Sequence, residues 1–409
     1  MCSDGHGSGD STNYYTLSRR TGVAVLPLAT DSWDELEYAA IERVVRSRHF
    51  TMGAEVAAFE AEFAARFGSR FAVMVNSGSS ANLLAVAGLV YHPDTLLKPG
   101  DTVLVPAVSW STTYFPLHQY GLKLRFVDVD LNSLNIDCDL LEEAITPSVR
   151  GIFAVNLLGN PCELDRIQTL CERHDLVLIE DNCESMGARL HGKMAGSFGH
   201  VGTFSTFYSH HISTMEGGVI ITDDERLYHT MISLRSHGWL REQPPHSHLR
   251  HEVDPFMARF RFVLPGYNLR PLEMSGAIGR EQIRKLPSLV RARRENANFF
   301  LETFGDRADV LVQRETGESS WFGFSFVLRG TLSGKRKELV SRLETNGIEC
   351  RPIVAGNFTN NPVIQYIDHE ISHPLRNAEE IDANGLFIGN QHYPIEGALM
   401  KVEDVMDHI

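Results

Sequence analysis

The sequence predicts an α/β protein: a mostly parallel central sheet with helices on both faces, followed by a smaller C-terminal α+β domain. Three observations carry that expectation. Short apolar runs at 71–75, 102–106, 124–129, 151–157 and 176–179 alternate with helical stretches; near-continuous apolar strands of this kind belong to parallel sheets covered on both faces. Several of these runs end in small or acidic residues, at the strand ends where α/β proteins hold their ligands. Beyond a long basic helix at 289–304, the pattern changes to an alternating strand (321–328), a helix (335–345) and a second strand (348–353). The expected organisation is a polar, mobile lead over 1–22, a large domain over 23–287, and a linking helix plus small domain over 288–409.

Taken in order, residues 31–67 read as helical, with Leu36, Ala39, Ala40 and Val44, then Val56, Phe59, Phe63 and Phe67 recurring at helical spacing. The strand 71–75 runs into Asn76-Ser77-Gly78-Ser79-Ser80 and the apolar helix 81–90. Strand, small-residue turn and helix together expose backbone N–H groups to an anion; a plain capped turn has the same pattern. The strand 102–106 ends at Ala107-Val108-Ser109-Trp110, where an indole can stack on a ligand ring or pack into the core. Residues 140–145 form a helical fragment between two further strands. The apolar strand 176–179 meets Glu180-Asp181-Asn182-Cys183-Glu184; acids at the mouth of a buried strand are candidates for chemistry, with a helix cap as the plain alternative.

Residues 203–218, TFSTFYSHHISTMEGG, bring a strand into a polar turn with two histidines before a second apolar strand at 219–222. A helix from Glu225 leads to Arg235-Ser236-His237-Gly238, where His237 can serve a site or simply sit at a helix end. Residues 241–259 are polar and His-rich and contain Pro244-Pro245, which reads as a surface excursion. Then come the turn Gly266-Tyr267-Asn268 and a helix over 272–286, broken at Pro287.

The bulk numbers exclude several classes. Lys and Arg number 38 against 52 Asp and Glu, so the formal charge is −14, which argues against sequence-independent binding of nucleic acid. No apolar run approaches the roughly 18 residues of a membrane span, and residues 1–20 lack the apolar core of a secretory signal. The six cysteines include no C-x-x-C pair and no zinc spacing. Reduced thiols and a cytoplasmic location are expected.

The run at 203–218 resembles the active-site segment of the sugar aminotransferase family, fold-type I enzymes that use pyridoxal phosphate on nucleotide-linked keto sugars. Its members carry a lysine, two small hydroxylated residues and an E-G-G. Aligned on Glu216-Gly217-Gly218, the lysine position holds His210, and no lysine occurs between Lys193 and Lys285. A lysine joins the cofactor as a Schiff base; an imidazole moves protons without a lasting covalent bond. The exchange is similar to the sugar 3-dehydratase branch of the family. That resemblance implies pyridoxamine phosphate and pyridoxal phosphate as cofactor forms, with His210 as the catalytic base. Gly78, Ser79, Ser80 and Ser205 are implied at the cofactor phosphate, Trp110 on its ring, Asp181 at the pyridine nitrogen, and Glu184 beside the ring hydroxyl. His237 and Arg351 are implied at the substrate. Asn268 is implied to reach a neighbour's cofactor phosphate across a homodimer with shared active sites.

A related dehydratase branch carries an iron–sulfur cluster on cysteines after the active-site histidine. Only Cys350 follows His210 here, so no cluster is expected. The implied reaction is removal of the C3 hydroxyl from a nucleotide-linked 4-keto-6-deoxy sugar, with L-glutamate as amino donor. Similarity through SHHISTMEGG, LPGYNLRPLEMSG and ECRPIVAGNF favours GDP and a manno-configured sugar. Two alternatives stay open: an aminotransferase with an atypical base, and a non-catalytic cofactor-binding regulator. The second lacks a basic patch or helix-turn-helix segment ahead of the domain.

Overall fold

The computed structural model describes residues 25–250, 254–258 and 260–409. The polar lead expected over 1–22 and Cys2 lie outside the described residues. The strands along the chain are β1 (Phe71–Val75), β2 (Thr102–Pro106), β3 (Lys123–Val127), β4 (Val149–Val155), β5 (Val177–Asp181), a two-residue hairpin β6 (Arg189–Leu190) and β7 (Lys193–Met194), β8 (Val201–Ser205), β9 (Gly218–Thr222), β10 (Val310–Val312), β11 (Gly323–Leu328), β12 (Cys350–Arg351), β13 (His369–Ile371) and β14 (Gly385–Gly389). Eight of them form one sheet in the order β1-β9-β8-β5-β4-β2-β3-β13, and β9 alone runs against the others. Strands β10, β11, β14 and β12 form a separate antiparallel sheet.

The large sheet is buried on both faces, as its apolar strands require. Side chains alternate across a strand, so Val103, Val105, Phe153 and Ile179 enter one core layer while Leu104, Ile152 and Leu178 enter the other. The helix Gly78–Val90 packs on this sheet with nine of its residues buried, which explains its apolar character on every side. Register lines up the carboxyl ends of the parallel strands. Val155 pairs with Asp181, Asp181 with Thr203, and Ser205 and Val75 both with Gly218.

The structure departs from the sequence expectations at five places. The helical stretch at 31–67 is two helices, Glu35–Ser47 and Ala54–Phe67, because Arg48 takes a left-handed φ of 57° and ends the first. The helix expected to stop at Pro287 runs unbroken from Glu273 to Phe304. An interior proline costs a helix about 3 kcal/mol. The stripe Ile283, Leu286, Leu289, Ala297, Phe300 and Phe304 is buried on both sides of Pro287, which holds the helix through it. Strand β11 is buried at all six positions instead of alternating, and of the strand expected over 348–353 only Cys350–Arg351 pairs. Finally, His369–Ile371 extends the edge of the large sheet beside β3. A three-residue polar strand carries no hydrophobic signal; Arg125 fixes it by pairing with Glu370.

Candidate active site

At the carboxyl ends of the large sheet's strands lies a cavity of about 590 Å³. A second hollow of about 480 Å³, lined by Arg150, Asp175 and Val177 among others, opens near the start of β5. The first stands where α/β sheets bind ligands, and the second does not.

One wall is the N-terminus of the helix Gly78–Val90. Ser77 caps it, its hydroxyl accepting from the Ser80 N–H at 3.0 Å. Ser77, Gly78, Ser79 and Ser205 line the cavity together. A Cβ on Gly78 would stand 2.6 Å from Ser205 Cβ and 3.1 Å from Cys183 Sγ, so only glycine allows this approach. The result is a cradle of unpaired N–H groups and hydroxyls suited to a phosphate. The Ser80 side chain belongs to the cap, with its Oγ 2.9 Å from Ser77 Oγ, and does not line the cavity.

Asp181 ends β5 and is 6% exposed. Its Oδ2 accepts from Asn82 Nδ2 at 2.8 Å and Thr113 Oγ1 at 3.2 Å, and its Oδ1 accepts from the Cys183 N–H at 3.0 Å. Asn82 is oriented in turn by Thr203, whose hydroxyl donates to Asn82 Oδ1 at 2.6 Å. Buried Ser109 lies 2.8 Å from the Thr113 hydroxyl. This chain of polar partners holds a carboxylate in the cavity wall, suited to the protonated nitrogen of a pyridine ring. The preceding Glu180 points to the opposite face and accepts from the N–H groups of Gly196, Phe198 and Gly199. Sequence reading missed Asn82, Thr113 and Thr203. The only local trace is that Asn82 and Thr203 are polar residues inside apolar segments; Thr113, in the polar run Ser111-Thr112-Thr113, has none.

Trp110 lines the mouth and is 58% exposed, so its indole face is open to a ligand. Glu184 also lines the cavity, and its Oε2 accepts from the Leu158 N–H at 3.0 Å. Burial pushes its pKa up to about 7, with the Asp181 carboxylate adding to the rise against the Leu158 bond.

The two histidines of the 203–218 run separate. His210 lines the cavity beside Phe207 and Phe322, its ring centroid 5.3 Å from that of Phe322. Its Nδ1 is enclosed without a partner among the described residues. Burial, together with the nearby Arg293 guanidinium, lowers its pKa to about 4, so the imidazole is neutral near pH 7. His211 turns into the core, where Nε2 lies 3.1 Å from the Ser320 carbonyl. Arg293 is itself buried, donates to the carbonyls of Phe322 and Asn390, and has no carboxylate partner among the described residues.

Arg351 lines the mouth from β12, exposed and without an ion-pair partner among the described residues. His237 and Asn268 do not line this cavity. His237 has a left-handed φ of 62° and packs edge-on against Trp239. The Asn268 side chain accepts from Arg270 Nε at 2.9 Å. None of the described residues lining the cavity is a lysine.

The donor set fits a pyridoxal-type cofactor: a phosphate cradle, an open aromatic face, a carboxylate at the far wall and an imidazole with an orphaned nitrogen. The GDP-4-keto-6-deoxy-D-mannose 3-dehydratase of Escherichia coli O55:H7 is 53% identical over 383 residues, spanning 93% of this chain and 99% of that protein. The enzyme of the same name from Yersinia pseudotuberculosis is also 53% identical over 383 residues, 93% of this chain and 98% of that one. A crystal structure of GDP-4-keto-6-deoxymannose-3-dehydratase with a trapped PLP-glutamate geminal diamine superposes with a TM-score of 0.91 at 52% identity, covering 93% of this chain and 99% of that chain. A variant of that enzyme with bound GDP-perosamine also gives 0.91 at 52% identity, over 93% and 100%. Residues 31–405 match the model of the DegT/DnrJ/EryC1/StrS aminotransferase family, and the chain belongs to that family.

Proposed function

We propose that this chain is a pyridoxamine-phosphate-dependent 3-dehydratase that removes the C3 hydroxyl of GDP-4-keto-6-deoxymannose, with glutamate restoring the amine. The observation that carries the reading is the cavity wall itself, where a neutral imidazole, His210, stands and none of the described lining residues is a lysine. The 53% identity to GDP-4-keto-6-deoxy-D-mannose 3-dehydratases over nearly their whole length supports the reaction and the substrate.

When bound, the cofactor supplies an amine that condenses with the sugar ketone and a ring that accepts electrons. Gly78, Ser79 and Ser205 hold its phosphate at the helix N-terminus. Ser80 acts from behind by fixing the cap, Trp110 covers the ring, and Asp181 keeps the pyridine nitrogen protonated. Glu184 sits beside them and can hold a proton near neutral pH. His210 takes up and returns protons at Nε2, since Nδ1 is enclosed. An imidazole forms no lasting covalent bond to an aldehyde, so His210 would offer the cofactor no covalent tether. In the balance, the C3–O bond breaks and its oxygen leaves as water, while release of the keto acid takes up one water, so none is formed net. The two electrons come from glutamate, which departs as its keto acid, and its nitrogen leaves as ammonia.

Arg351 is the cation for glutamate's carboxylate or the nucleotide diphosphate. His237 and Asn268 act across a homodimer, which is consistent with their lying outside this chain's own cavity. Exposed Phe207, Tyr208 and Met215 beside the site give that interface its apolar surface. Among the described residues no helix is long and apolar enough to cross a membrane, and we place the enzyme in the cytoplasm. The test is absorbance of the purified protein before and after glutamate, then mass analysis with GDP-4-keto-6-deoxymannose. The expected product has lost oxygen and gained no nitrogen; a sugar that retains nitrogen would make the chain an aminotransferase instead.

A further inference from the structure

Away from the cavity, a second group of chemistry-bearing side chains is left unused by the proposed reaction. Glu225 and His229 are four residues apart on the helix Glu225–Arg235 and therefore share a face. His246 comes to them from the polar excursion that follows the helix. One ligand atom from each of the three lies within 4.8 Å of the other two. His246 Nε2 stands 3.0 Å from Glu225 Oε1, and the rings of His229 and His246 are 5.4 Å apart.

The excursion is built to present His246. Gln243 is buried and donates through Nε2 to the carbonyl of His229 at 2.9 Å. Its Oε1 accepts from Ser247 at 2.6 Å, and its own carbonyl accepts from Arg250. The segment is thus anchored to the residue it faces.

A surface hydrogen bond between Glu225 and His246 explains that pair alone. It leaves His229 unexplained. His229 is only 3% exposed and its ring makes no hydrogen bond among the described residues, which leaves its nitrogens free for a ligand. His248 stacks on this ring at 6.0 Å, with its own Nδ1 buried and unpartnered.

We propose that Glu225, His229 and His246 bind a borderline divalent cation, Zn2+, clamping the 241–250 excursion to the helix. Two imidazoles and one carboxylate are a zinc donor set, and the solvent side leaves a fourth place for water. Zinc–ligand bonds of about 2.0–2.2 Å put neighbouring ligand atoms about 3.4 Å apart. Closing to that spacing asks for rotation of His246 and Glu225, whose side chains are 66% and 40% exposed. Arg70 is the competing cation, 3.7 Å from Glu225 Oε2, and it leaves Oε1 facing His246.

The experiment uses the full chain with its cofactor, stripped of metal by a chelator and titrated with Zn2+ in a calorimeter, with metal content and thermal midpoint read in parallel. One Zn2+ per chain and a raised midpoint are expected. His246→Gln and Glu225→Gln, both at exposed side chains, should each weaken binding at least about tenfold, the loss that even an outer-shell change produces. They should remove the thermal gain and leave dehydration rate intact. His229→Ala could fail to fold, so the decision rests on the other two. Equal Zn2+ affinity in the parent and His246→Gln, or no uptake by the parent, overturns the proposal.

Discussion

Gly78→Ala places one methyl group into the phosphate cradle, and the structure fixes what it meets. The new Cβ would stand 2.6 Å from Ser205 Cβ, 3.0 Å from Ser205 Oγ and 3.1 Å from Cys183 Sγ. Ordinary carbon contacts are about 3.5–4.0 Å, so the helix start and β8 must part by about 1 Å. Overpacking of this kind costs about 1–3 kcal/mol. The intrinsic helix preference of alanine over glycine returns about 0.5–1 kcal/mol. The clash wins, and a net destabilisation of about 1–2 kcal/mol is expected. A shift of about 1 Å in a positioning group can cost about a hundredfold in rate, so cofactor binding and turnover should suffer more than stability does. Urea denaturation reads the first effect, and absorbance titration with pyridoxal phosphate reads the second. Adding Ser205→Gly removes the nearest atom, so the double variant should regain much of the stability while affinity stays low, because the Ser205 hydroxyl is also gone. Parental stability and parental affinity in Gly78→Ala would refute the close-approach argument.

Asn82→Ala strips the 2.8 Å bond from Asp181 and the 2.6 Å acceptor from Thr203; a loss of about 2–3 kcal/mol in urea denaturation and weaker cofactor binding are expected, and unchanged stability would mean the carboxylate is held by other groups. In the folded chain Glu184 keeps its proton up to about pH 7, against an ordinary 4.5. The folded state therefore binds the extra proton between these values, and stability drawn from this group falls as pH rises from about 4.5 to about 7. Denaturation across that window should show the parent weakening relative to Glu184→Gln; parallel curves would contradict it. Arg293→Met removes the cation beside His210, so the imidazole pKa should rise above about 4 in an NMR titration while burial, the larger cause, still keeps it below the ordinary range; an unchanged pKa would show that the cation contributes nothing. His210→Lys should capture the cofactor covalently, visible in its absorbance, and abolish dehydration; continued loss of the C3 hydroxyl at the parental rate would show that the imidazole is not the deciding group.

Much of the site was readable before the fold. Turns and strand ends, read together with the family resemblance, pointed to Ser79, Trp110, Asp181, Glu184, Ser205 and His210, and all six line one cavity, because parallel strands in register deliver their carboxyl ends to one side of a sheet. Gly78 was marked for its backbone N–H; that it also must lack a Cβ depends on Ser205 and Cys183, more than a hundred residues away. The helix through Pro287 was misjudged because a local breaking rule was outweighed by burial on two lobes. The edge strand His369–Ile371 was missed because it is short, polar and held by an ion pair to Arg125.

By itself the sequence determined the alternation of apolar strands and helices, the parallel sheet that follows from it, and a histidine, His210, where the family it resembles carries a lysine, the exchange on which the proposed chemistry turns. Only the tertiary structure decided which histidine of the pair faces the cavity, that burial, with Arg293 adding to it, holds it neutral, and that Asn82, Thr113 and Thr203 brace Asp181. The division has one physical reason. Periodicity and residue chemistry act over a few neighbours along the chain, whereas orientation, charge and hydrogen-bond support come from groups that meet only when distant segments pack.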